Sequence, residues 1–121
     1  MEQTPNIAER TFEFAVSVVQ FCKVLDSKSG INWVLGRQLL RSGTSVGANL
    51  QEAQAAQSSA DFISKCSIAL KEAREAIYWL RLLEATGQSK GENVKLLAKE
   101  ADEIARILGA IIVRTKGKGR L

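Results

Sequence analysis

The chain has 121 residues, a formal net charge of +4, two cysteines and no histidine. This length suits one domain with a modest core, and the single proline, at position 5, leaves no proline-rich linker. The lack of histidine excludes Ser-His and Cys-His catalysis and Glu-x-x-His di-iron sites, so we expect no enzymatic activity and no cofactor. A polar N-terminus and the lack of an apolar run of roughly 18 residues predict neither a signal peptide nor a membrane span. Cys22 and Cys66 lie among apolar neighbours, so we expect buried, reduced thiols and a cytoplasmic protein.

Apolar side chains recur at helical spacing along almost the whole chain, and no long polar–apolar alternation predicts a strand. The pattern predicts four α-helices, at about residues 6–28, 32–57, 59–86 and 90–114. Short connections force neighbouring helices to run antiparallel. The predicted fold is therefore an all-α, up-down-up-down antiparallel four-helix bundle.

Local signals support these boundaries. The predicted N-terminal caps are Thr4-Pro5 or Asn6 with Glu9 for the first helix, Ser58 with Asp61 for the third, and Ser89 with Glu92 for the fourth. Gly30 and Gly87 are predicted to end the first and third helices, because glycine readily adopts the left-handed conformation that follows many helix ends.

The first predicted helix has an unusually wide apolar surface. A stripe of Ile7, Phe14, Val18, Phe21 and Leu25 runs beside a second stripe of Phe12, Ala15, Val19 and Cys22. One bundle core needs only the first stripe. Because large exposed apolar patches mark interfaces, the second stripe predicts contact with another molecule.

The segment RSGTSVGANLQEA places small and polar residues inside the second predicted helix. Gly43 and Gly47 lie one turn apart on one face, and each costs roughly 1 kcal/mol of helix stability relative to alanine. This cost indicates close approach of another backbone, either within the chain or at a subunit interface or ligand groove. Ser42, Ser45 and Asn49 follow a neighbouring face, where they can hydrogen-bond across such a contact or to the helix's own carbonyls.

A longer motif surrounds this segment. It consists of Arg-Ser, Ser-Val followed by Asn and Glu, a Ser-x-x-Asp-Phe helix start, and a Lys-Glu-Ala-x-Glu run before Tyr-Trp-Leu. The motif residues are Arg41, Ser42, Ser45, Val46, Asn49, Glu52, Ser58 or Ser59, Asp61, Phe62, Lys71, Glu72, Glu75, Tyr78 and Trp79. Over about residues 8–112 the chain resembles the 23S ribosomal RNA intervening-sequence proteins, also called the four-helix bundle protein family.

The resemblance implies a small bacterial bundle protein that assembles as a ring-like homopentamer, in a family whose biochemical role is largely unestablished. A related branch, the accessory variability determinant of diversity-generating retroelements, engages a reverse transcriptase and nucleic acid through a basic surface. In a ring, the wide apolar face of the first helix and the small-residue face of the second are candidate contacts between subunits.

The excess of basic residues lies at the C-terminus. Residues 114–121, RTKGKGRL, hold four basic side chains and no acidic one, whereas the rest of the chain has 13 of each. This composition predicts a disordered tail that follows a bundle domain of residues 1–113. The tail is either a solubilising end or a phosphate-contacting arm; the contacts of such an arm would be Arg114, Lys116, Lys118 and Arg120.

Two clusters in the second half of the motif have alternative interpretations. Glu72 and Glu75 are placed to pair with Arg37, Arg41, Lys71 or Arg74, while an all-carboxylate metal site with Glu52 is the less favoured alternative. Tyr78 and Trp79 point about 100° apart on a helix, so one is expected in the core and the other at an edge. Base stacking on this pair is disfavoured for want of a flanking basic stripe.

The sequence thus favours a non-enzymatic, homo-oligomeric bundle that binds structured RNA or a ribonucleoprotein. The alternative is a scaffold whose ring surface docks a partner protein without nucleic acid. The basic tail supports the first function, and the formally neutral body supports the second.

Overall fold

The computed structural model describes residues 6–25, 30–89 and 91–119. These residues form four α-helices and, within those ranges, no strand: α1 (Ile7–Leu25), α2 (Gly30–Gln54), α3 (Ser59–Ala85) and α4 (Glu92–Gly119). Each helix packs against its neighbours in the order α1–α2–α3–α4–α1, so α1 and α3 lie on opposite sides of the bundle. The predicted four-helix bundle is confirmed.

The core follows from the inward-facing stripes of the four helices. Leu39, Leu50, Leu80, Leu83, Ile104 and Leu108 are the largest fully buried apolar side chains. α3 also buries Ala69, Ala73 and Ala76, and these small side chains bring the helices beside it close to its backbone. Cys22 and Cys66 are buried and form no disulfide bond, as predicted, and burial raises the pKa of the Cys66 thiol.

Several predicted helix boundaries are confirmed by their caps. Asn6 Oδ1 accepts a hydrogen bond from the Glu9 amide at 2.8 Å, and Ser58 Oγ accepts one from the Asp61 amide at 3.0 Å. Gly87 has a φ of 77°, the left-handed conformation expected after α3. Thr4, Pro5 and the predicted end of the first helix lie outside the described residues.

Two boundary predictions are wrong. Gly30 is the first residue of α2, which begins two residues earlier than predicted and ends three residues earlier, at Gln54. The capping box of Ser89 with Glu92 does not form, because Glu92 is already the first residue of α4. Gly91, with a φ of 101°, directly precedes it and turns the chain into the helix.

The predicted disordered tail needs correction. α4 continues through Gly119 instead of ending at residue 114, so residues 114–119 extend the helix, and residues 120–121 lie outside the described residues. The side-chain hydroxyl of Thr115 donates to the Ile111 carbonyl, one helical turn earlier, at 2.8 Å. Lys116 and Lys118 occupy the last turn, where positive charge stabilises the helix C-terminus.

Candidate interaction surfaces

The small residues of α2 form a seam within the chain. A Cβ atom at Gly43 would lie 2.9 Å from Val18 Cγ2, and one at Gly47 would lie 3.3 Å from both the carbonyl oxygen and Oγ1 of Thr11. Thr11 and Val18 belong to α1 and are fully buried. Of the two interpretations of the glycine pair, the intrachain contact is the one that the structure shows, and it lets α1 and α2 approach closely.

The polar residues beside this seam are bonded to their own helix. Ser42 Oγ donates to the Gln38 carbonyl at 3.0 Å, Ser45 Oγ to the Arg41 carbonyl at 2.6 Å, and Asn49 Nδ2 to the Ser45 carbonyl at 2.8 Å. These bonds satisfy the side chains without a ligand. Ser42, Ser45 and Asn49 are therefore accounted for by local hydrogen bonds within α2, and Ser42 forms its bonds in the core.

Arg41 links α2 to α3 through two carboxylates. Its guanidinium donates to Glu72 Oε1 at 3.3 Å and to Glu75 Oε2, which also accepts from Trp79 Nε1 at 3.0 Å. The predicted ion-pair network is confirmed, with Arg41 as the cation that engages both glutamates. Glu52 is exposed near the end of α2, and the described residues contain no group of three or more His, Cys, Asp or Glu placed to hold a metal ion.

We expect Glu75→Ala to lower the free energy of unfolding by about 1–2 kcal/mol and Glu72→Ala by less than about 1 kcal/mol. Losing Glu75 removes one of the two carboxylates that Arg41 engages and also the acceptor of the Trp79 indole, whereas losing Glu72 removes only the other, longer contact of Arg41. The Arg41 side chain is 49% exposed, which limits both effects. Thermal and urea unfolding of the two variants measures the difference, and equal losses would contradict this network.

Asp61 and Phe62 serve the start of α3. Asp61 caps the helix with Ser58, and the half-buried Phe62 packs against the core. Both motif residues are accounted for by folding.

A second ion-pair cluster joins α1 to α4 and was not predicted. Arg10 Nε donates to Glu100 Oε2 at 2.7 Å, and its Nη2 donates to Glu103 Oε1 at 2.6 Å. These hydrogen bonds raise the pKa of Arg10 above its ordinary value. The i, i+3 spacing of the two glutamates was visible in the sequence, but their partner lies at the other end of the chain.

An exposed apolar surface runs along the outer edges of α1 and α2. It consists of Phe12, Val16, Val19, Trp33 and Leu40, and is called the α1–α2 groove below. Phe12 is 67% exposed and Trp33 is 50% exposed, although both are large apolar side chains. Of the second apolar stripe predicted for the first helix, Phe12 and Val19 are thus exposed within one chain, whereas Ala15 is half-buried and Cys22 is buried.

The groove contains a pocket with a buried, unpaired polar atom. The pocket has a volume of about 210 Å³, and its lining includes Val19, Trp33, Leu40 and Asn32. Asn32 is only 4% exposed, and its Oδ1 has no hydrogen-bond donor among the described residues. An unpaired buried acceptor costs about 1–3 kcal/mol, so this site favours an incoming donor. Arg37 lies at the rim, 4.8 Å above the Trp33 ring.

The predicted nucleic-acid contacts lie at the end of α4. Arg114, Lys116 and Lys118 are exposed, and none of them forms an ion pair with another described residue; Arg120 lies outside the described ranges. Because the segment is helical, Arg114 and Lys118 share one face, and Lys116 points about 160° away from Arg114. The three cations therefore surround the helix end instead of forming one stripe.

Tyr78 and Trp79 divide as predicted between an exposed and a more buried position. Tyr78 is 55% exposed, and the half-buried Trp79 packs against the core. The rings meet edge to face, with centroids 5.1 Å apart and an interplanar angle of 78°. Base stacking on this pair was disfavoured for want of a flanking basic stripe. In the structure such a stripe is present, because Lys71, Arg74 and Arg81 are exposed at helical spacing from Tyr78.

Comparison with known proteins agrees with this arrangement. The family model of the 23S rRNA-intervening sequence protein matches residues 3–110. The chain belongs to this family. The crystal structure of a protein of unknown function from the S23 ribosomal protein family of Bacteroides thetaiotaomicron is 43% identical and superposes with a TM-score of 0.81. The match covers 88% of this chain and 98% of that one.

The long motif through α2 and α3 lies within the residues that match the 23S rRNA-intervening sequence family, and most of its residues serve the fold. No curated protein matches this chain. In the part of the chain that the structure describes, no helix is long and apolar enough to cross a membrane.

Proposed function

We propose that this protein is a non-enzymatic, homo-oligomeric bundle of the bacterial cytoplasm that binds structured RNA or a ribonucleoprotein. The observation that carries the proposal is the basic end of α4. Arg114, Lys116 and Lys118 are exposed there, while the rest of the chain before residue 114 has equal numbers of basic and acidic side chains. Local positive charge of this kind attracts phosphates.

Assembly would strengthen this binding. Each chain supplies four basic side chains in residues 114–121, and a homopentamer, which the family resemblance implies, would bring five such ends together. When linked sites reach one RNA, the later contacts become intramolecular, and the total affinity exceeds that of one end.

The α1–α2 groove is the proposed contact between subunits. Its five apolar side chains would be covered by a neighbouring copy, which removes apolar surface from water. A donor from that copy would also satisfy Asn32 Oδ1, which lies buried in the pocket of the groove. Both changes favour association over the isolated chain.

Replacing Arg114, Lys116 and Lys118 by glutamine is expected to weaken RNA binding and to reduce its salt dependence. Each lost phosphate contact lowers the slope of log affinity against log salt by about 0.7–0.9. Substitution is preferable to truncation at residue 113, because truncation also removes Thr115 and the last turn of α4. The measurement is fluorescence anisotropy of a labelled ribosomal RNA hairpin at several salt concentrations.

A matched control removes three exposed cations elsewhere on α4 by replacing Lys95, Lys99 and Arg106 with glutamine. This control should bind RNA more tightly than the variant at the helix end. If the two variants lose affinity equally, the helix end has no special role. If the wild-type protein binds no RNA, the proposed function is wrong.

The second candidate function is a scaffold for a partner protein. The pocket with Asn32 favours this candidate, because a buried acceptor beside apolar side chains suits a protein side chain that carries a donor. An intact oligomer that binds no RNA would direct attention to this function.

A further inference from the structure

The outward face of α3 carries a compact basic surface with an aromatic side chain in its middle. It consists of Lys71, Arg74, Tyr78 and Arg81, all exposed, and is called the α3 basic stripe below. At 100° per residue, the four positions fall within about 80° of the helix circumference. From the first to the last they span about 15 Å along the helix axis.

The acidic residues of the same segment lie on the α2 side of the stripe and are paired there. Glu72 and Glu75 face α2, where Arg41 holds both of them. None of the three cations of the stripe forms an ion pair with another described residue. The helix therefore separates charges that alternate in the sequence: the two glutamates are paired with Arg41 beside α2, and the three cations remain unpaired on the outer face.

Tyr78 is held in place while much of it stays open. Its ring meets Trp79 edge to face, and the Trp79 indole is itself fixed by its hydrogen bond to Glu75. Tyr78 nevertheless remains 55% exposed. An anchored and accessible aromatic ring between cations is the arrangement on which unpaired bases stack while neighbouring phosphates are neutralised.

We propose that the α3 basic stripe binds an unpaired segment of RNA. A base stacks on Tyr78, and the flanking phosphates pair with Lys71, Arg74 and Arg81. The inference rests on the proposed RNA-binding function and adds a second surface to it, at which unpaired nucleotides are distinguished from duplex. The helix end of α4 attracts phosphates of either form, whereas stacking requires a free base face.

The stripe is compatible with the proposed assembly. α1 and α3 occupy opposite sides of the bundle, so covering the α1–α2 groove of a chain does not cover its own stripe. The stripe of a second copy is a poor occupant of the groove, because Lys23 and Arg37 line the pocket there and like charges repel. Each subunit would therefore keep its stripe open to RNA.

The test compares two labelled probes by anisotropy: an unstructured RNA of about ten nucleotides, a length typical of single-strand sites, and a blunt-ended RNA duplex without a loop. Tyr78→Ala is expected to weaken binding of the unstructured probe by about 5- to 150-fold and to leave binding of the duplex unchanged. Tyr78→Phe keeps the ring and should bind like wild type. Replacing Lys71, Arg74 and Arg81 by glutamine should lower the salt slope for the unstructured probe by about 2.

Leu96→Ala is the matched control for the aromatic substitution, since Leu96 is also 55% exposed but lies on α4. Circular dichroism confirms that each variant is folded. The proposed role of the stripe is wrong if Tyr78→Ala and the variant of the three stripe cations bind the unstructured probe as tightly as wild type, while the variant at the end of α4 loses affinity. That result would leave the proposed function standing. If the wild-type protein binds neither probe, both proposals fail.

Discussion

Replacing Gly43 by valine is expected to lower the free energy of unfolding by about 3 kcal/mol. Even a Cβ atom at this position would lie 2.9 Å and 3.0 Å from the two γ-carbons of Val18. Val18 is fully buried and branched at Cβ, so it cannot rotate away without displacing other core atoms. The additional methyl groups of valine would push α1 away from α2. Urea unfolding monitored by circular dichroism gives the value.

Gly109 provides the control within the same protein. It also lies inside a helix, but a Cβ atom there would meet nothing within 4 Å. Gly109→Ala should stabilise the protein by up to about 1 kcal/mol through helix propensity, and Gly109→Val should change stability little. If valine were tolerated equally at both positions, the close α1–α2 seam would be wrong.

The second large effect concerns assembly. If the chain assembles through the α1–α2 groove as proposed, replacing Phe12 and Trp33 by glutamate is expected to convert the proposed oligomer to a monomer of 13.2 kDa, because two charges would have to be buried against a neighbouring subunit. Both side chains are at least half exposed in the single chain, so the fold should survive the change. Light scattering coupled to size-exclusion chromatography measures the mass, and circular dichroism reports the helices.

Leu96 and Val113 serve as the matched control for the groove, because they are exposed apolar residues on α4. Replacing both by glutamate should leave the proposed oligomer intact. If the variant at Leu96 and Val113 dissociates while the variant at Phe12 and Trp33 remains assembled, the subunit contact lies on α4 and not in the α1–α2 groove.

Local signals allowed most of the fold to be predicted. Ser58 and Asp61 are three residues apart, so the cap that they form depends on nothing beyond one turn of chain. The end of α4 was harder to predict, because glycine and charge are typical of disorder. Helical hydrogen bonding and the basic last turn nevertheless continue the helix to Gly119.

Features that join distant segments could be predicted only in part. Gly43 and Gly47 indicated that another backbone approaches this helix closely. That this backbone is α1 depends on tertiary packing. The buried Asn32 gave no signal, because it sits at the predicted start of a helix, where a polar residue is ordinary.

The α3 basic stripe was visible in principle, at positions spaced by three, four and three residues. It was missed because glutamates alternate with the cations in KEAREAIYWLR. Only the partner of those glutamates, Arg41 on α2, shows which charges are paired and which face outward.

The most direct test of the proposed RNA-binding oligomer is the mass and composition of the protein mixed with RNA. Size-exclusion chromatography with light scattering and two-wavelength absorbance measures both at once. The proposed function predicts a protein particle about five times the 13.2 kDa chain mass, which shifts to a larger species containing RNA at low salt and releases it at high salt. A 13.2 kDa species at all concentrations, or RNA that elutes separately at low salt, would contradict it.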